Sequence, residues 1–423
     1  MNTRPISAQY LAPAIAALTP LVFLLPFANK AYHIDDTFYL WVAEKIHETP
    51  LDYYGFDIAW GPTIRPAFEV NKNPPGVSYL WAGVATVFGW GEIPMHLAAA
   101  LIASLFSLGV YYLARRFTQL PLLAVFLAII GPGFMVSANT VMSDVPMMAA
   151  YVWAILLWIK GLENDAPREG ERTREPRANQ FAHLQLITAA ILIAVATLTK
   201  YFGITALPLL LVYTLLRQRR FDPRLAYLLI PIVLIALYQW HSANLYGENL
   251  LGSAAGYAVG FSMDASEVPR LFKTGVALAF LGGSFAALLF YAPLLWRWPV
   301  VAAGVALITI ITAYLLTFDQ LDRLVIRTDD HLNWGFPFQI ALWSVAGIAI
   351  VALAVQDLIR HRDADAILLF LWFAGTFLFS AYLNWAINVR TILPLAPALG
   401  IIAARRLELR FPAERLKQIR FHA

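Results

Sequence analysis

Residues 78–90 read Ser-Tyr-Leu-Trp-Ala-Gly-Val-Ala-Thr-Val-Phe-Gly-Trp, an uncharged and mostly apolar run. The topology of the whole chain turns on whether this run crosses a membrane. As a helix it covers only about 20 Å, against the roughly 30 Å hydrocarbon core of a bilayer. It is therefore read as a juxtamembrane or partly embedded helix, not a span. Counting it as a span would reverse every later segment. Arg115-Arg116 and the charged Lys160–Ala182 loop would then fall outside, against the excess of Lys and Arg that cytoplasmic loops carry.

That a membrane is involved follows from composition. The 423 residues are 60% hydrophobic and 14% charged, with a mean hydropathy of +0.63; soluble domains are nearer half apolar and a quarter charged. Unbroken apolar runs select membrane helices, because alternating runs would be needed for a barrel. The formal net charge of +4 implies no nucleic-acid partner, since the basic residues lie mostly in short loops between apolar runs. The absence of cysteine excludes disulfides and thiol chemistry.

Outward from residues 78–90 the chain divides into apolar runs of spanning length. Leu11–Ala28 is the first, read as a retained helix and not a cleaved signal. It is followed by a long polar and aromatic loop. Within that loop, Asp36–His47 places Phe38, Trp41, Val42 and Ile46 at helical spacing, a pattern suited to a helix lying in the interface. Further runs are Pro94–Ala114, Leu120–Ala138, Val145–Ile159, Leu184–Leu198, Gly203–Leu216, Leu225–Trp240, Thr274–Leu295, Val300–Thr317, Phe336–Val355, Ile367–Leu383 and Ile392–Ala404. The expected fold is an all-α polytopic membrane protein of about twelve spans, with both termini cytoplasmic. In this scheme 21 of the 31 Lys and Arg residues fall on the inner side. Its parts are a transmembrane domain over residues 1–404, with a first extracytoplasmic loop at 29–93 and a cytoplasmic loop at 160–183. A short basic tail follows at 405–423.

The scheme gathers charge on the outer face. Asp35 and Asp36 follow the first span, and carboxylates at membrane depth usually mark a functional site. The plain alternative is that they cap the next helix. Asp144 stands before Val145-Pro146, where it is either a site residue or an N-cap. Lys72, Lys200 and Arg390 reach the same side, as phosphate ligands or as cations snorkelling to the interface. Asp329, Asp330 and His331 lie in the charged Phe318–Trp334 loop, a candidate divalent-metal site or simply a charged surface. Carboxylates beside cations at the outer leaflet suit a substrate that is both lipidic and anionic. A carboxylate can take the proton of an attacking hydroxyl, and cations can stabilise a leaving phosphate.

These residues resemble the motifs of the GT-C superfamily of membrane glycosyltransferases, in particular the bacterial protein O-mannosyltransferase and aminoarabinose transferase-like proteins of family 39. Asp35-Asp36 with Thr37 and Tyr39 resembles the family's acidic pair. Asn73-Pro74-Pro75 with Tyr79 and Trp81 resembles its Lys-Pro-Pro motif. Ser143-Asp144-Val145-Pro146, Leu198-Thr199-Lys200, and Arg390 ahead of Leu393-Pro394 resemble later ones. The departures are Asn73 where the motif has Lys, with Lys72 one position earlier, and Asp-Asp in place of Asp-Glu.

The resemblance implies a GT-C fold in a bacterial inner membrane, with an active site facing the periplasm. It implies inverting transfer of a sugar from a polyprenyl-phosphate donor to a hydroxyl on a lipid, glycan or protein acceptor. Asp35 would be the base, Asp36 and Asp144 would position the reactants, and Lys72, Lys200 and Arg390 would hold the donor phosphate. The rival expectation is a multi-span transporter or flippase of lipid-linked sugars. Against it stand the absence of half-to-half similarity and the placement of ionisable residues at one face.

Overall fold

The structure, a computed structural model, describes residues 6–164, 176–219, 221–264, 270–321, 324–384 and 386–411. Helix dominates throughout. Among the described residues, three two-stranded antiparallel hairpins are the only sheets: Asp57–Ile58 with Arg65–Pro66, Gln320–Leu321 with Leu324–Val325, and Arg327–Thr328 with His331–Leu332.

Nine of the described helices are long and apolar enough to cross a membrane, or up to 11 if each of two bent pairs counts as one span. The bent pairs are Pro121–Ile129 with Pro132–Ala138, at 72°, and Arg270–Ser284 with Ala286–Leu295, at 76°. Both coincide with runs read from the sequence as single straight crossings. In the first, Gly131-Pro132 interrupts the helix, and proline supplies no N–H to continue the ladder. The last expected span, Ile392–Ala404, is built from Val389–Ile392, Leu393–Leu395 and Ala396–Glu408, with Pro394 and Pro397 at the breaks.

The chain forms two compact units. The first comprises Met1–Arg116 and Met135–Tyr257, the second Phe117–Phe134 and Ala258–His422. In the first unit, helices Asp144–Asn164 and Pro176–Thr199 pack closely along small residues. A side chain on Gly161 would meet Leu186 at 2.7 Å and the Ala182 carbonyl at 3.1 Å. Close backbone approach through small residues is the usual way membrane helices associate.

Beside these helices the first unit has an apolar core like that of a soluble domain. Phe38, Val42, Ala43 and Ile46 of helix Ile34–Glu48 bury against Val77, Trp81, Ala82 and Ala85 of helix Gly76–Phe88, with Met95, Ala99, Val141 and Met142 closing the cluster. The face read from the sequence differs in one member. Trp41 is 42% exposed and meets Trp60 edge-on, while Tyr39 takes the buried place. Helix Ile34–Glu48 thus spends its apolar stripe on protein contacts.

Trp81 is fully buried, and its indole N–H donates to the Val141 carbonyl at 2.6 Å. A Trp81→Phe variant leaves that buried carbonyl unpaired. It should destabilise the protein by about 1–3 kcal/mol, read as a lower unfolding midpoint in detergent. An unchanged midpoint would show that the bond contributes nothing.

In the second unit, helices Arg270–Ser284 and Gly335–His361 are brought together by glycines. A Cβ at Gly282 would sit 2.0 Å from the Trp343 carbonyl oxygen, and one at Gly347 would sit 2.1 Å from that of Leu278. Helix Ala396–Glu408 meets helix Pro121–Ile129 in the same way, at Gly400 against Ala124. Helix Trp298–Leu315, by contrast, has no buried residue. An apolar helix that the protein leaves uncovered is suited to lipid contact.

Candidate active site

The start of helix Ile34–Glu48 separates the roles of the two adjacent aspartates. The helix is capped by His33, whose Nδ1 accepts the Asp35 backbone N–H at 3.2 Å. Asp36 Oδ2 accepts the His33 backbone N–H at 2.9 Å, completing a reciprocal capping box. Its other oxygen accepts the Val141 backbone N–H at 3.0 Å. Asp36 is fully buried. Burial pushes its pKa up, and the two backbone N–H groups pull against that shift. The carboxyl of Asp36 therefore ties the start of this helix to the segment before Asp144. No signal in the sequence marked His33 as the cap, because Asp is the commoner cap residue.

Asp35 is half-buried. It lies four residues before Tyr39, so the two share a helix face. Tyr39 Oη is 3.3 Å from Ser143 Oγ, and the Tyr39 carbonyl accepts the Ser78 hydroxyl at 2.9 Å. The face that carries Asp35 is thus the one that meets Ser143, next to Asp144.

An Asp36→Asn variant keeps one acceptor oxygen and turns an N–H toward the second donor. It should cost about 1–3 kcal/mol of stability, visible in thermal unfolding. A variant as stable as wild type would contradict the bridging role of Asp36.

Asp144 opens helix Asp144–Asn164 and is 1% exposed. Its Oδ1 lies 2.5 Å from Lys200 Nζ. Lys200 follows the end of helix Pro176–Thr199 in extended conformation and caps the short turn Tyr201–Thr205. The neighbouring backbone is tightly fitted. A Cβ on Gly76 would meet the Leu198 carbonyl oxygen at 2.4 Å, so the segment after Pro74-Pro75 packs directly on the strand of chain leading into Lys200.

Lys72 is held differently. Its Nζ is 3.0 Å from Glu248 Oε1, and Glu248 also accepts the Ser253 hydroxyl. Burial raises the Glu248 pKa, but the hydrogen bonds from Ser253 and Lys72 outweigh that and hold it below the usual range. Glu248 was not among the residues singled out in the sequence. The turn that presents it follows Gly247, which has positive φ (73°) at the end of helix Leu229–Tyr246. That glycine was the only available cue. Asn73, at the position where the resembling motif has lysine, contributes its backbone. Its carbonyl accepts the Tyr54 hydroxyl at 2.5 Å, and its N–H and side-chain amide donate to Asn71 Oδ1.

Asp35, Asp36, Lys72, Asp144 and Lys200 thus all belong to the first unit. Arg390, on the short helix Val389–Ile392, belongs to the second, as do Asp329, Asp330 and His331. Those three are exposed, Asp329 and Asp330 on the turn after strand Arg327–Thr328 and His331 at the start of strand His331–Leu332. Among the described residues, no group of three or more His, Asp or Glu side chains could hold a metal ion.

Residues 72–241 match the family model described as dolichyl-phosphate-mannose-protein mannosyltransferase. That range takes in Lys72, Asp144 and Lys200. No curated protein matches the sequence. Among solved structures, the chain resembles the oligosaccharyltransferase AglB of Archaeoglobus fulgidus, in complex with an inhibitory peptide and a dolichol-phosphate. The identity is 16% and the TM-score 0.56, over 97% of this chain and 51% of that one. An apo form of the Archaeoglobus fulgidus oligosaccharyltransferase gives 14% identity and a TM-score of 0.53, over 94% and 50%. ArnT of Cupriavidus metallidurans in the apo state gives 18% identity and a TM-score of 0.43, over 95% and 77%. The chain spans about half the length of the oligosaccharyltransferases it matches. The likeness to oligosaccharyltransferase is one of fold. Together with the family model it bears out the resemblance to the GT-C superfamily.

Proposed function

From this likeness to GT-C membrane glycosyltransferases, we propose that the protein transfers a sugar from a polyprenyl-phosphate donor to an acceptor hydroxyl. The observation that carries the reading is the convergence at residues 141–144. Asp36 binds Val141, Tyr39 meets Ser143, and Lys200 pairs with Asp144. A half-buried carboxylate, Asp35, and a lysine are thereby delivered to one end of the first unit.

In the proposed reaction Asp35 takes the proton of the acceptor hydroxyl as its oxygen attacks the anomeric carbon. The carbon–oxygen bond to phosphate breaks, and polyprenyl phosphate leaves with the electron pair. Attack opposite the leaving group inverts the anomeric centre. Lys200 meets the phosphate's growing charge, in competition with Asp144, and Asp144 and Asp36 keep their elements in register. Lys72 joins when the phosphate displaces Glu248. A lipid-linked donor is supported by the oligosaccharyltransferase structure in complex with dolichol-phosphate. The acceptor is a lipid, glycan or protein. The family model names a protein acceptor, and one oligosaccharyltransferase structure carries a tethered acceptor peptide.

The proposed setting is a bacterial inner membrane, with the site on the periplasmic face and both termini in the cytoplasm. The distribution of Lys and Arg supports that orientation. Residues 1–404 would then be the catalytic membrane domain, with residues 29–93 as the first outer loop, 160–183 as a cytoplasmic loop and 405–423 as a cytoplasmic tail.

Deleting the gene should remove one glycan or lipid modification and leave its donor lipid in excess, by mass spectrometry of the cell envelope. Unchanged glycans and lipids would sink the proposal. A second reading, transport of a lipid-linked sugar, draws on the two helices broken at 72° and 76°, since broken helices are common where transporters bind substrate.

A further inference from the structure

A second charged cluster lies within the second unit. The last turns of helices Gly335–His361 and Ala396–Glu408 border a small recess, open to solvent, lined by Gln356, Asp357, Arg360, His361, Arg405 and Arg406. Asp357 is the sole carboxylate in this lining. It is 8% exposed and already shared, with Oδ1 3.2 Å from His361 Nδ1 and Oδ2 3.2 Å from Arg405 Nη1. Three guanidiniums therefore face one carboxylate. Nearby acids are committed elsewhere: Glu408 accepts from Thr118 Oγ1 at 2.7 Å and Gln119 N at 3.1 Å, and Asp363 accepts from Ala366 N at 2.7 Å.

The arginines also retain donors. Arg405 is 8% exposed, and its buried Nη1 makes no hydrogen bond among the described residues despite its ion pair. Arg406 uses Nε on the Leu295 carbonyl at 3.2 Å, which leaves its terminal nitrogens. Arg360, Arg405 and Arg406 thus line the recess together, with Asp357 as its one carboxylate. Buried polar groups ordinarily find a partner, and guanidiniums pair in fork geometry with the oxygens of a phosphate.

What distinguishes a lipid from a free ion is the surface next to this pocket. A shallow apolar groove lies beside it, lined by Phe285, Leu288, Ala292, Trp296 and Ile350, and Leu353 lines both. A charged recess beside an apolar groove, with Leu353 in the wall of both, matches a phosphate headgroup with an acyl chain. We propose that this composite pocket binds the phosphate of an anionic membrane lipid, with an acyl chain laid in the Phe285–Leu353 groove. Basic pockets between helices at the cytoplasmic side bind such headgroups, and the positive-inside rule puts this arginine-rich end there. The proposal does not rest on the transferase reading.

The test uses the full-length purified protein in detergent, titrated with phosphatidylglycerol, phosphatidylcholine and inorganic phosphate. Bound lipid is counted by native mass spectrometry and thermal stabilisation is followed in parallel. Wild type should retain phosphatidylglycerol over phosphatidylcholine. An Arg360→Gln/Arg406→Gln variant should bind it about tenfold or more weakly. Arg360→Gln alone, at an exposed position, serves if the double variant fails to fold. Equal retention of phosphatidylglycerol by folded wild type and variant would overturn the proposal. Stabilisation by inorganic phosphate with no lipid retained would also overturn it, by showing that the arginines serve a free ion.

Discussion

An Asp35→Asn variant should insert and purify as wild type does, yet transfer sugar about 10²–10⁴-fold more slowly, the usual contribution of a positioned general base. The expectation rests on what the neighbours of Asp35 do. His33 and Asp36 together cap helix Ile34–Glu48, so the Asp35 carboxylate is not required for that task. Replacing it with an isosteric amide leaves the capping box, the bond from Val141 to Asp36 and the Tyr39–Ser143 contact in place. The loss should appear in the rate of transfer from lipid-linked donor, with the unfolding midpoint unchanged. A variant that transfers at wild-type rate would remove Asp35 from the role of base. One that unfolds at markedly lower temperature would show that its carboxylate is structural.

Lys200→Met should be the most destabilising single change at the site. It leaves the Asp144 carboxylate, 1% exposed, without the cation 2.5 Å away. Removing one partner of a buried pair typically costs about 3–5 kcal/mol, because the remaining charge stays buried without its counter-charge. The double variant Asp144→Asn/Lys200→Met should recover much of that loss, since a neutral pair has no desolvated charge to support. A double-mutant cycle on unfolding in detergent gives the coupling directly. Additive effects of the two single changes would mean the pair is not closed in the folded protein. Sugar transfer should stay low in the stable double variant, which separates a lysine needed for donor phosphate from one needed only for folding.

The helical membrane architecture was legible in the sequence because apolar runs of spanning length have few other uses. The run at residues 78–90 falls largely within one short apolar helix, Gly76–Phe88. The bends were less visible. Leu120–Ala138 contains Gly131-Pro132, but proline is common in membrane helices and need not break one. At the candidate site, the sequence pointed to Asp35, Asp36, Lys72, Asp144 and Lys200, while their pairings stayed hidden. Lys72 meets Glu248 across 176 positions and Lys200 meets Asp144 across 56, and neither partner choice follows from periodicity. The division of labour between Asp35 and Asp36 was hidden for a local reason, since it depends on a histidine acting as cap.

The reading as an enzyme can be tested against transport in one measurement. Purified protein in liposomes is given a polyprenyl-phosphate sugar labelled in the sugar, together with candidate acceptors, and the lipid products are separated. Transfer predicts that label leaves the donor, that free polyprenyl phosphate appears in equal amount, and that the new glycosidic bond has inverted configuration. Movement of intact donor across the bilayer, with its sugar–phosphate bond unbroken and no free polyprenyl phosphate formed, would contradict it.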